Sequence, residues 1–155
     1  MATKKRVKRS APRSRPSPRP ARTPRRQPES FRARSLATGL TVNDLQRSIA
    51  WYRDVLGFTV KDSWEGGGKV VGVELVAGSA SISLNQDDFA KGRDRKKGQG
   101  LRLWLNTAQD IDALAKQIKG RGGVLDQEPK DTPWGARLFS ISDPDGFKFN
   151  VVQER

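Results

Sequence analysis

The stretch "DPDGFKFNVV", residues 143–152, joins two chain segments through a tight turn. Proline fits the second position of a β-turn, and glycine accepts the positive φ that a later turn position requires. The segments on either side, 136–141 and 147–153, are short, apolar and rich in Phe, Ile and Val, which favours strands. The stretch therefore predicts a β-hairpin near the end of the chain.

A repeated order of elements extends backwards from this hairpin. Residues 101–106 predict a strand, 110–119 a helix with one apolar face, and 124–127 a further strand. The same order begins at residue 35, with a strand at 35–42, a helix that ends at Gly57, and strands at 58–64, 70–76 and 80–85. The sequence thus predicts an α+β fold made of two βαβββ modules, 35–86 and 101–155, within one domain that spans 35–155.

The segment "DDFAKGRDRKKGQG", residues 87–100, separates the two modules. It is polar, charged and interrupted by glycine, which is typical of a linker. We expect it to be mobile and solvated.

The excess positive charge of the chain lies in its first 34 residues. Residues 1–34 hold 13 Lys or Arg and one acid, Glu29, together with six of the nine prolines. Such a segment buries too little apolar surface to offset the entropy of ordering it. We expect a disordered Arg/Pro-rich tail followed by a nearly neutral globular domain.

Residue types that are missing from the sequence exclude several kinds of catalytic and metal-binding site. It contains no histidine and no cysteine, so it offers no imidazole base, thiol nucleophile or disulfide. It has no apolar run long enough to span a membrane and no secretory signal pattern. These features predict a cytoplasmic protein without a membrane partner.

Two motifs resemble the vicinal oxygen chelate superfamily, which includes glyoxalase I, extradiol dioxygenases and bleomycin resistance proteins. They are "NDLQRSIAWYRDVLGF" at 43–58 and "PWGARLFSISDPDGFKFNVV" at 133–152, and the resemblance extends over residues 35–153. It implies that each module curls into half of a cup. The helices would lie on the convex face and the ligand chemistry on the concave face.

The resemblance also implies a divalent metal, held by residues on the first and fourth strands of each module, mostly His and Glu. When the helix starts and final turns of the modules are aligned, these positions become Ala37, Ser83, Leu103 and Asn150. None is a good ligand for a catalytic divalent ion. The sequence therefore predicts no metal and no cofactor, and it disfavours a metal-dependent lyase or dioxygenase.

The resemblance supplies one metal-free precedent, the bleomycin-resistance type. In that type a dimer sequesters a cationic aromatic drug in clefts between its subunits. It implies a homodimer that binds a small molecule of unknown identity. Flat aromatic walls with a few polar groups suit such a ligand. The candidate binding residues are Trp64, Ser83, Leu103, Trp134, Arg137, Lys148 and Asn150.

Alternatives to ligand binding stay open for several of these residues. The tryptophans could equally be core or dimer contacts, Asn150 could simply pair with its neighbours, and Arg137 could lie on either face of its strand. The alternative function is an enzyme of the same superfamily with an unconventional site, for example with Glu74 as a base and Arg137 or Lys148 holding an enolate or carboxylate. Whether the protein is an enzyme is left open.

The basic tail predicts a second, separate activity. A polycation of this kind binds nucleic acid without sequence preference, because it releases counterions from the phosphates. It has no aromatic residue before Phe31 on which bases could stack. The nucleic-acid candidates are Lys4, Lys5, Arg6, Lys8, Arg9, Arg25 and Arg26, and they define a third hypothesis, in which the cup binds a partner and the tail tethers it to nucleic acid.

Overall fold

The computed structural model describes residues 35–154, and the predicted basic tail at 1–34 lies outside the described residues. The first module contains β1 (Thr38–Val42), α1 (Leu45–Asp54), β2 (Thr59–Gly66), β3 (Lys69–Ala77) and β4 (Ala80–Gln86). The second contains β5 (Arg102–Thr107), α2 (Ile111–Gly120), β6 (Leu125–Asp131), β7 (Arg137–Ser142) and β8 (Lys148–Gln153). The predicted α+β fold with two βαβββ modules is confirmed.

Each module forms one four-stranded sheet with the same topology. The strand orders are β1-β4-β3-β2 and β5-β8-β7-β6. The first strand pairs in parallel with the fourth, and the other neighbours are antiparallel. The first and fourth strands of a module are therefore adjacent, and their side chains share a surface.

The helices cover one face of each sheet, and an aspartate caps each helix at its N-terminus. The Asp44 carboxylate accepts a hydrogen bond from the Arg47 N–H at 3.0 Å, and Asp110 accepts one from Ala113 at 2.7 Å. Beneath the helices lies the core, to which both modules contribute buried strand residues such as Leu75, Leu84, Phe139 and Phe149. The opposite face of each sheet, which we call its concave face after the cup that the resemblance implies, is left for other contacts. No helix among residues 35–154 is long and apolar enough to cross a membrane.

A buried hydrogen bond joins the two modules. The hydroxyl of Tyr52, on α1, donates to Asp143 Oδ2 at 2.9 Å, and Tyr52 is fully buried. Its ring packs edge-on against Phe58 of its own module and Phe149 of the other. The helical spacing predicts Tyr52 as core, and this is confirmed.

The turn of the final hairpin receives further contacts from the first module. Asp143 Oδ1 accepts the backbone N–H groups of Asp145 and Phe147, at 2.9 and 2.8 Å. Asp145 in turn accepts from the Asn43 N–H at 3.1 Å and from the Ser48 hydroxyl at 3.4 Å. The two aspartates of "DPDG" thus serve both the turn and the start of α1.

We expect Tyr52 to keep its proton in alkaline solution for as long as the protein is folded. Burial and the neighbouring Asp143 carboxylate raise the pKa of Tyr52 far above its ordinary value. Tyr52 is the single tyrosine of the sequence, so the ultraviolet absorbance of phenolate reports on it alone. The folded protein should show no phenolate signal as the pH passes about 10, whereas the protein in urea should titrate there.

The stability of the protein should depend on pH in the same range. Above about pH 10 only the unfolded state releases the Tyr52 proton, so the free energy of unfolding should fall as the pH rises. The Tyr52→Phe variant is the control, because this part of the pH dependence should vanish in it. Phenolate absorbance near pH 10 from protein with native circular dichroism would contradict the buried hydrogen bond.

The segment between the modules is held by a buried ion pair, although the sequence predicts a mobile linker. Asp87 Oδ2 lies 2.6 Å from Lys97 Nζ and 3.0 Å from Arg95 Nη2, and the side chains of Asp87 and Lys97 are almost fully buried. Hydrogen bonds from Lys97 and from the Phe89 N–H lower the pKa of Asp87 to about 2. The carboxylate of Asp87, at the start of the segment, therefore holds Lys97 near its end.

The Asp87→Asn substitution should open this segment to trypsin, because it leaves the buried Lys97 ammonium without its counter-ion. Five trypsin sites lie there, at Lys91, Arg93, Arg95, Lys96 and Lys97. We expect trypsin to cleave faster at these sites in the variant, as measured by mass spectrometry over a time course.

In the wild type the contribution of Asp87 to stability should persist above about pH 4 and be lost as the pH falls towards 2.

The Asp88→Asn variant is the matched control for this experiment. Asp88 is exposed, and its carboxylate accepts only the Ala90 N–H within residues 35–154. Equal cleavage rates in the two variants would show that the ion pair does not hold the segment.

Candidate functional site

The register of the second sheet brings a set of polar and aromatic side chains onto its concave face. Arg102 pairs with Lys148, and Trp104 pairs with Asn150, on the adjacent parallel strands β5 and β8. On the other side of β8, Ser140 of β7 pairs with Asn150. These residues alternate with Phe139, Phe149 and Val151, which face the helix and are buried.

Asn150 lies at the centre of this face and is 5% exposed. Its Oδ1 accepts hydrogen bonds from the Ser140 hydroxyl at 2.8 Å and from Arg102 Nη1 at 3.4 Å. A guanidinium can only donate, so it directs the oxygen of the amide towards itself. Within residues 35–154 the Nδ2 group of Asn150 donates no hydrogen bond. The amide oxygen of Asn150 is therefore paired with its neighbours, while its Nδ2 group still has N–H donors for a ligand.

A cavity of about 440 Å³ lies over Asn150. Two tryptophans form its walls, Trp104 at 52% exposure and Trp134 at 68%. An adjoining cavity continues along the sheet and is lined by Arg102, Asp126, Gln127, Ser140 and Lys148. We call the surface formed by Arg102, Trp104, Gln127, Trp134, Ser140, Lys148 and Asn150 the second-sheet groove.

Three of the predicted binding residues, Trp134, Lys148 and Asn150, meet in the second-sheet groove, but Leu103 does not. Leu103 pairs with Phe149 and packs against the core, so the prediction that it lies on the cup face of β5 is wrong. Trp104 occupies the position next to Asn150 instead. The chain between strand and helix is one residue longer in the second module than in the first, so alignment of the helix starts shifts β5 by one residue.

Arg137 lies on the helix side of β7 rather than in the cup. Its guanidinium makes two bonds to Asp112 of α2, at 2.7 and 2.8 Å, and one to Asp131 at 3.2 Å. These carboxylates raise the pKa of Arg137 above its ordinary value. Arg137 is thus engaged in ion pairs on the outer surface. The prediction that it contacts a ligand in the cup is corrected accordingly.

Trp64 and Ser83 belong to the concave face of the first sheet. Trp64 lies flat over Gly72, where a Cβ would come within 2.2 Å of the indole, so only glycine leaves room for the ring. Ser83 pairs with Gly39 on one side and Glu74 on the other. Ala37 precedes β1, and Gly39 takes the registered position beside Ser83.

Glu74 is bound to neighbours on the first sheet. Its carboxylate accepts from the Ser81 hydroxyl at 2.7 Å and from Lys61 Nζ at 3.1 Å. These hydrogen bonds lower the pKa of Glu74 below its ordinary value, which makes it a weaker base. Arg137 is on the outer surface, so it is not the partner that would hold an enolate or carboxylate for Glu74. Lys148, the other partner considered, lies on the second sheet.

The four positions that the resemblance assigns to metal ligands do not fit a metal. In the observed register they are Gly39, Ser83, Trp104 and Asn150. Catalytic divalent ions bind several imidazole, thiolate or carboxylate groups, and a glycine, a hydroxyl, an indole and an amide supply none. Among residues 35–154 no group of three or more His, Cys, Asp or Glu side chains could hold a metal.

The groove residues that the sequence does not single out are Arg102, Trp104, Gln127 and Ser140. Alternation along β5, β6 and β7 would place them on the face of Asn150 once the register is known. The register depends on the length of the loop between strand and helix, which the repeated motifs do not reveal.

Comparisons with known proteins agree with the fold. The family model of the Glyoxalase/Bleomycin resistance protein/Dioxygenase superfamily matches residues 34–151. A probable lactoylglutathione lyase from Synechocystis is 28% identical over 124 residues, which cover 76% of this chain and 93% of that protein.

Solved structures show the same architecture. A superfamily member from Sphaerobacter thermophilus superposes with a TM-score of 0.59 at 28% identity, covering 79% of this chain and 98% of that one. TioX from a Micromonospora species gives a TM-score of 0.65 at 18% identity, over 79% of this chain and 100% of that one, and so shows likeness of fold alone. The resemblance to the vicinal oxygen chelate superfamily is confirmed, and the chain belongs to the Glyoxalase/Bleomycin resistance protein/Dioxygenase superfamily.

Proposed function

We propose that this protein binds a small planar molecule in the second-sheet groove without the help of a metal. The observation that supports this most directly is the cavity over Asn150, where two exposed indoles and an amide with spare donors face the same space. Aromatic walls with a few polar groups are typical of sites for small molecules. The residues at the four metal-ligand positions support a role in binding rather than metal-assisted catalysis.

A homodimer forms part of this proposal. Trp104 and Trp134 are half or more exposed on an open face. A second copy covering this face would bury part of their apolar surface and leave the groove as a cleft between the two copies. A molar mass of one chain by light scattering would contradict it.

We expect the purified, tag-free chain to carry no stoichiometric metal before or after incubation with Mn²⁺, Ni²⁺, Zn²⁺ and Fe²⁺. It should bind the neutral planar probe 2-naphthylmethanol with saturable quenching of tryptophan fluorescence. Trp134→Ala removes one wall and should weaken binding about tenfold, within the range of aromatic contacts plus buried area. Elemental analysis and fluorescence titration measure the two results.

Trp64→Phe is the matched control, because it changes a tryptophan on the first sheet, outside the second-sheet groove. Its affinity for the probe should equal that of the wild type. Saturable binding of equal strength in Trp134→Ala would remove the groove from the proposal. One bound metal ion per chain would instead support the alternative of an enzyme with an unconventional site.

A second candidate function rests on the charge of residues 1–34, which hold 13 Lys or Arg and one acid. We propose that this segment tethers the protein to nucleic acid without sequence preference. Affinity should fall by about three to five powers of ten between 50 and 200 mM salt if about six to ten phosphates are engaged. Duplex DNA retention of the full chain across a salt series measures this.

The control changes charge within the segment only. Replacement of Lys4, Lys5, Arg6, Lys8 and Arg9 by Gln should flatten the dependence of affinity on salt. An unchanged salt slope would exclude these residues from DNA contact.

A further inference from the structure

A third cavity extends the second-sheet groove towards the segment between the modules. It measures about 560 Å³ and lies between residues 97–101, Gly146, Arg102 and Lys148. Arg102 and Lys148 also line the cavity next to it, and Arg102 lines the one with the two tryptophans. A single row of cavities therefore runs from residues 97–101 to Trp134.

The wall of this third cavity is built by close packing of backbone. A Cβ on Gly98 would lie 2.2 Å from the carbonyl oxygen of Gly146, so only glycine allows the loop to approach the hairpin turn. The neighbouring Lys97 is fixed through its buried bond to Asp87. The loop therefore has a defined place beside Arg102 and Lys148.

The end of the row beside this loop is cationic. Arg102 and Lys148 are directly opposite each other on adjacent strands and project from the same face. Within residues 35–154 neither makes a salt bridge, and the only hydrogen bond of the Arg102 side chain is the 3.4 Å bond to Asn150. Like charges opposite each other across two strands are unfavourable. An anion between them would turn this repulsion into attraction.

The other charged groups along the row leave this cationic character in place. Lys97 is neutralised by Asp87, whereas Asp131 shares the single charge of Arg137 with Asp112 and is only partly compensated. Lys130 and Asp126 remain, and the Asp126 carboxylate accepts the Ser142 hydroxyl at 2.6 Å. The cations Arg102, Lys130 and Lys148 therefore outnumber the carboxylates Asp126 and Asp131 along the row.

We infer that the ligand of the second-sheet groove is a planar aromatic molecule that carries a carboxylate or phosphate. Its anionic group binds Arg102 and Lys148, its ring packs against Trp104 and Trp134, and the spare Asn150 donors lie between the two ends. Arg and Lys both bind such anions by charge-assisted hydrogen bonds. This inference rests on the proposed function and gives the ligand a sign opposite to that of the cationic drugs bound by the bleomycin-resistance type.

Three probes that differ only in charge test this inference by calorimetry on the full chain. They are 2-naphthoate, 2-naphthylmethanol and 2-naphthylmethylammonium. We expect naphthoate to bind about tenfold or more tightly than the neutral alcohol, as one charge-assisted hydrogen bond would give, and the ammonium to bind most weakly. Arg102→Met and Lys148→Met keep the aliphatic stems, and each should reduce the preference for naphthoate while binding of the alcohol persists.

Lys116→Met is the matched control, because Lys116 is exposed on α2 outside the groove and its loss changes the net charge equally. It should keep the preference for naphthoate. Equal affinities for naphthoate and the alcohol, or an equal loss of preference in Lys116→Met, would overturn the inference and leave the proposed function intact. Failure of all three probes to bind would overturn both.

Discussion

The buried hydrogen bond from Tyr52 to Asp143 is the contact on which the arrangement of the two modules depends. It connects the helix of the first module to the turn that begins the last strand of the second. One carboxylate oxygen of Asp143 accepts this hydrogen bond, and the other accepts two backbone N–H groups that close the turn. A buried carboxylate is costly unless such partners surround it, and burial raises the pKa of Asp143 even here.

The same turn determines where the site is formed. Phe147 is fixed by its N–H bond to Asp143, and β8 starts at the next residue with Lys148. Two residues further on is Asn150, on the same face. The contact between the modules and the polar row of the groove are therefore consecutive parts of one hairpin, and a shift of the turn would displace both.

The sequence predicts the fold because its signals are local and repeated. Apolar helix faces, N-capping aspartates and turns with Pro and Gly recur in both halves, and each has a direct structural cause. Prediction of the site depends on pairing between strands that are distant in the chain. One additional residue before α2 turns Leu103 to the core and Trp104 to the groove, and no local pattern marks that residue. Arg137 shows the same limit, since its partner Asp112 belongs to a helix 25 residues earlier.

An amide at position 150 has a consequence for the charge of the surface around it. Arg102 Nη1 already approaches Asn150 Oδ1, and the two residues contact each other across neighbouring strands. A carboxylate in that place would form an internal ion pair with Arg102. The guanidinium would then be neutralised from within the protein. With an amide in that place the guanidinium keeps its charge, so the identity of this one residue sets the charge of the surface around it.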